Sequence, residues 1–97
     1  MTLEQKTVLL RVLSHPVRIK ILIELTKGVK RVSEIEKFLD ISQSNLSQHL
    51  SILRTHRVID CYADGKYRCY FLAEPMIFNL LDVMFSDTAS SCFINSD

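Results

Sequence analysis

Ile41-Ser-Gln-Ser-Asn-Leu-Ser-Gln-His-Leu-Ser-Ile-Leu-Arg54 reads as a helix with two unlike faces. Leu46, Leu50 and Leu53 recur at helical spacing and form an apolar stripe. Ser44, Ser47, Gln48, Ser51 and Thr55 fall on the other side, polar yet almost uncharged. A solvated helix face ordinarily carries Glu and Lys, which are better helix formers than Ser or Thr. Short hydroxyls and amides, by contrast, reach base edges and phosphates in a DNA groove. Taken alone, the stretch fits a Ser-rich surface helix as well as a DNA-reading one, and its neighbours decide.

Upstream, Ser33 with Glu36 three residues on has the pattern of a capping box for a short helix that buries Ile35, Phe38 and Leu39 and ends near Asp40. Ile41 and a capping Ser42 then leave only a tight turn, so the two helices stand as a helix-turn-helix. Its second helix would enter the major groove with Ser42, Gln43, Ser44, Asn45, Ser47, Gln48 and Ser51 towards the bases, His49 and Arg54 at the flank. Downstream, Val58–Ala63 and Lys66–Leu72 are extended runs around Asp64-Gly65, a hairpin signal that favours a two-residue turn. Lys66, Tyr67 and Arg68 lie at its tip, and a basic hairpin in this position is a wing able to hold phosphate.

The remaining elements are helical. Thr2 and Gln5 form a capping box ahead of Leu3, Val8, Leu9, Leu10, Val12 and Leu13. Ser14-His15-Pro16 separates that helix from the next, with Ser14 as the expected cap and Pro16 in the first turn. Val17, Ile21, Leu22 and Leu25 form the core stripe of the second helix, which Gly28 closes. Glu74-Pro75 opens a last helix whose Ile77, Leu80, Leu81, Met84 and Phe85 need a cover. The predicted fold is therefore mainly α with a small antiparallel β-hairpin, in the order α-α-α-α-β-β-α. One domain spans residues 1–86, and residues 87–97 are expected to be a frayed tail. Leu3, Leu10, Ile77, Leu80, Leu81 and Met84 are the expected contacts with a second copy of the chain, a homodimer on a pseudo-palindromic site.

The net charge of +1 conceals an asymmetry: residues 1–26 carry four basic and two acidic groups, residues 27–68 eight and five, residues 69–97 none and four. A basic middle and an acidic end suit one DNA-facing side. The apolar runs are too short to span a bilayer and the start lacks a signal-peptide pattern, so no membrane partner and a cytoplasmic location are expected. No Gly-rich phosphate loop, acid pair or nucleophile constellation speaks for an enzyme, and no cofactor is expected.

Three segments, Leu13–Leu22, Ile41–Leu50 and Asp64–Leu72, together resemble the ArsR/SmtB family of winged-helix repressors, over roughly residues 3–86. The resemblance implies a dimeric repressor that leaves its operator when an effector, most often a metal ion, arrives. It does not carry over the family's metal sites. The third-helix segment Arg31–Lys37 has no cysteine, no histidine follows His56, and a paired-thiol site of the fourth helix would fall on Ile52 and His56, with Cys92 in the tail. No metal ligand set is therefore assigned. Cys61, Cys69 and Cys92 stand as candidates for a thiol effector site responding to a thiophilic metal, a persulfide or an oxidant. With the turn on Asp64-Gly65, Cys61 would lie opposite Arg68 and Cys69 opposite Asp60, which puts the two sulfurs on opposite faces. A different class of function, a winged-helix module that binds another protein through its apolar terminal helices, fits the same composition.

Overall fold

The computed structural model describes residues 1–86 and runs α1 (Leu3–Leu13), α2 (Pro16–Thr26), β1 (Lys30–Arg31), α3 (Val32–Leu39), α4 (Gln43–Thr55), β2 (Ile59–Asp64), β3 (Tyr67–Leu72) and α5 (Pro75–Phe85). The expected order holds, with one addition. Lys30 and Arg31 pair antiparallel with Tyr70 and Cys69, which turns the hairpin into a three-stranded sheet of order β1-β3-β2. A two-residue strand has too few positions to show an alternating pattern in sequence. Cys92 and the tail after Ser86 lie outside the described residues.

The core is built from Leu13 of α1, Ile21, Leu22 and Leu25 of α2, Ile35 of α3, and Leu46, Leu50 and Leu53 of α4. Val58 and Ile59 close it from the sheet side, Ile77 and Leu81 from α5. Burial of each leucine in the α4 stripe stabilises the fold by about 2 kcal/mol before cavity effects. Ile77 and Leu81, expected at a contact between copies, are instead 1% and 3% exposed within one chain. Their helix must first pack on its own domain. No helix among the described residues is long and apolar enough to cross a membrane.

Several caps differ from expectation. Thr2 and Gln5 do form the capping box of α1. Ser14 ends α1, its N–H donating to the Arg11 carbonyl at 3.2 Å, and the cap of α2 is His15, whose Nδ1 accepts from the Val17 N–H at 3.2 Å. Ser14 cannot start one helix while it terminates the one before. Lys27 caps the end of α2, and Gly28 follows with φ +135°, a conformation that L side chains rarely adopt. The third helix begins at Val32 rather than at Ser33: Glu34 accepts the Arg31 N–H at 3.0 Å, so the box falls two residues earlier. Strand β1 fixes Arg31 in extended conformation, and the helix starts where the strand stops. Of the expected apolar face, Ile35 is buried and Leu39 is half-buried, whereas Phe38 is 58% exposed beneath the Lys27 ammonium, 5.6 Å from the ring centroid.

The hairpin register also moves. Asp64 pairs with Tyr67, Ala63 with Arg68 and Cys61 with Tyr70, which leaves Gly65-Lys66 as the turn. Gly65 has φ +61° and Lys66 lies outside the left-handed region, so glycine takes the first central position, as in a type II′ turn. The shift is by an even number of residues, so every side chain keeps its expected face. Cys61 and Cys69 lie on opposite faces, both as free thiols.

Candidate nucleic-acid interface

Asp40 ends α3 in the left-handed conformation (φ 54°, ψ 48°), tolerated by a short side chain that can bond locally. Ile41 then packs against the core and Ser42 starts α4, its hydroxyl accepting from the Asn45 N–H at 3.2 Å. With Leu46, Leu50 and Leu53 turned inwards, Gln43, Ser44, Asn45, Ser47, Gln48 and Ser51 are all exposed on the opposite side.

The wing stands beside this face. A groove of about 480 Å³ opens between them, lined among others by Arg31, Gln43, Ser47, Lys66, Tyr67 and Arg68. A neighbouring recess of about 380 Å³, lined by Ser47, Ser51, Arg54, Thr55 and Tyr70, extends it along α4. The polar helix face and the basic wing, separated in sequence, thus form one concave surface. A hollow of about 500 Å³ bounded by Glu4, Val8, His56, Arg57 and Glu74 shares no residue with it.

Electrostatically the groove is cationic but not saturated. The Lys66 ammonium lies 5.6 Å from the Tyr67 ring centroid and the Arg31 guanidinium 4.1 Å from the same ring. Arg68 donates from Nη1 to the Cys61 sulfur at 3.5 Å, and that hydrogen bond helps to hold its guanidinium protonated. Arg54 meets Asp60 at 3.3 Å, with both side chains about half exposed. An exposed pair of this kind contributes little to stability, so a phosphate can compete for the guanidinium. Burial pushes the Tyr70 phenol up, so it remains a neutral hydroxyl at ordinary pH.

His49 does not join this surface. It is half-buried against the body: its Nδ1 accepts from Arg18 Nε at 3.3 Å and its ring meets His15 edge-on at 4.6 Å between centroids. The same Arg18 donates from Nη1 to the Val12 carbonyl at 3.1 Å, joining the end of α1 to α4. Burial, then His15 and Arg18, lower the His49 pKa from its usual 6.5. A neutral, bonded imidazole suits a structural joint. Arg31 is the basic residue of the groove lining that the sequence did not single out, because its position depends on a strand too short to recognise.

Among the described residues no group of three or more His, Cys, Asp or Glu side chains is placed to hold a metal ion. Cys61 is half-buried beside Arg68 and Cys69 is buried.

Comparison with known proteins agrees with the geometry. Residues 15–60, the span from α2 through the start of β2, match the profile of bacterial regulatory proteins of the arsR family. The biofilm growth-associated repressor of Agrobacterium fabrum is 35% identical over 79 residues, covering 81% of this chain and 68% of that protein. The crystal structure of the transcriptional repressor PagR of Bacillus anthracis superposes with a TM-score of 0.78 at 31% identity, over 84% of this chain and 94% of the other. HlyU from Vibrio cholerae superposes with a TM-score of 0.80 at 27% identity, over 84% and 88% of the two chains. Sequence, fold and these relatives agree: the chain belongs to the ArsR family of bacterial regulatory proteins, DNA-binding transcription regulators rather than enzymes.

Proposed function

We infer that the protein is a cytoplasmic homodimeric repressor that binds a pseudo-palindromic operator through α4 and the wing. The observation that carries this reading is the shared groove, with exposed Gln43 and Ser47 on one wall and Lys66 and Arg68 on the other. Gln and Ser side chains at the start of a groove-entering helix read base edges, while the cations of the wing and Arg54 hold phosphates and make affinity depend on salt. Pairing of copies is supported by apolar side chains that the domain leaves uncovered: Leu3, Leu10 and Met84 are 81%, 59% and 59% exposed, and Leu80, one turn before Met84, is half-buried. Two-fold pairing through α1 and α5 would set two α4 helices about 34 Å apart, one duplex turn. Of the two described thiols, Cys61 is the less buried and contacts the groove residue Arg68, so a persulfide or oxidant that releases the operator would act there first.

The test is light scattering after gel filtration, followed by anisotropy titration of a duplex from upstream of the protein's own gene and of a random duplex, over about 50 to 200 mM salt. A dimer with salt-dependent preference for the first duplex is the expected outcome. The exposed Phe78, Val83 and Phe85 of α5 would also serve a module that binds another protein, and a monomer indifferent to DNA would favour that function.

A further inference from the structure

We propose that Arg31 is a phosphate-binding residue of this surface and, through Tyr67, the residue that sets the wing against the helix-turn-helix; this rests on the DNA-binding function inferred above. The pairing of β1 with β3 ends at Arg31 opposite Cys69. Beyond that point the wing continues as two strands alone, to Asp64 opposite Tyr67 and the Gly65-Lys66 turn. Tyr67 lies two residues closer to the tip than Cys69 and on the same face, within diagonal cross-strand reach of Arg31. The Arg31 guanidinium covers its ring at 4.1 Å, bracing the projecting part of the hairpin.

Two features point to an anion as the ligand. First, the Arg31 guanidinium over the ring has no side-chain hydrogen-bond partner among the described residues, so its N–H groups can donate to phosphate oxygens. Second, Lys66 approaches the same ring, so two cations share one aromatic side chain while Arg68 lines the same groove. Glu36 is the one carboxylate on that lining. Cations gathered this closely repel one another, and a phosphodiester between them relieves the repulsion. The backbone of Arg31 is itself fixed, its N–H bound by Glu34 at 3.0 Å, so the side chain starts from a defined point. It therefore serves the wing and the DNA at once.

The experiment is anisotropy titration of the full chain and of Arg31→Ala, Arg31→Lys and Tyr67→Leu on the upstream and random duplexes across a salt series. Arg31→Ala is expected to weaken both duplexes about tenfold and to lower the salt slope by about one phosphate contact. Arg31→Lys keeps the charge and so keeps the slope, but loses affinity because an ammonium cannot stack and donate as a planar fork does. Tyr67→Leu should lose affinity to a similar extent, and the Arg31→Lys/Tyr67→Leu pair should be no weaker than the worse single variant, since both remove one contact. A wild-type protein that binds DNA while Arg31→Ala binds it equally well, with an unchanged salt slope, overturns this inference and leaves the repressor function standing. A wild-type protein that binds no duplex overturns both. Circular dichroism checks folding; if Arg31→Ala fails to fold, the exposed Tyr67→Leu decides, and unchanged binding by that variant overturns the bracing role.

Discussion

Gln48 and Lys66 differ in what they offer DNA. Gln48 presents an amide, a donor and an acceptor together, on the exposed side of α4, and an amide distinguishes bases. Lys66 presents a mobile point charge at the wing tip. Gln48→Ala is expected to weaken the upstream duplex by about 1 to 3 kcal/mol while barely changing random DNA. Lys66→Ala should weaken both alike and flatten the salt slope. Equal losses on both duplexes for Gln48→Ala would remove it from the base-reading set. His49 gives a pH signature. Its folded pKa lies below 6.5, so the unfolded chain takes up its proton first as pH falls. The stability contributed by neutral His49 is complete above its unfolded pKa and is lost as pH falls through the lowered folded value. Thermal unfolding between about pH 7.5 and pH 5 should therefore show a falling midpoint, less steep in His49→Gln. The helical period made the exposed positions of α4 legible from sequence. It placed His49 only at the flank, because whether a flanking side chain turns outwards depends on a remote partner, here Arg18.

At the scale of elements, the helices were legible and their ends less so. A run such as Arg31-Val-Ser-Glu-Ile-Glu36 holds overlapping cap signals, and tertiary pairing chooses between them. Strand β1 commits Arg31 to extended backbone, so Glu34 closes the box and Ser33 becomes an ordinary helical residue. The hairpin makes a similar choice: Asp64-Gly65 and Gly65-Lys66 are both acceptable turns, and the observed one keeps Asp64 in the ladder opposite Tyr67. Gly65→Ala meets no atom within 4 Å but would put an L side chain at φ +61°, so about 1 kcal/mol of destabilisation is expected from backbone strain alone. Leu50→Ala, in contrast, opens a void under α4 and should cost about 2 to 5 kcal/mol. Urea unfolding at constant slope checks both values.

At the scale of the whole molecule, the exposed apolar side chains of α1 and α5 predict assembly. Leu10→Glu or Met84→Glu places a charge where a second copy would pack, while both positions are more than half exposed in the single chain. Each variant should remain folded, run as a monomer in light scattering, and lose most of its operator affinity because only one half-site can be held at a time. A variant that stays dimeric would move the contact elsewhere. The sequence showed that the two terminal helices needed a cover but could not divide their stripe between core and partner: Ile77 and Leu81 fall inwards and Met84 outwards on neighbouring turns of one helix.

Arg18 joins two parts of this molecule that have different tasks. One nitrogen is bound to the Val12 carbonyl near the end of α1 and another to His49 on α4. On the proposed function, which puts α1 in the contact between copies and α4 in the groove, this joint would link the free energy of assembly to that of DNA binding, and linkage is reciprocal. Whatever factor pairing adds to the grip on an operator, the operator returns to pairing, and Arg18→Met would diminish both by the same amount.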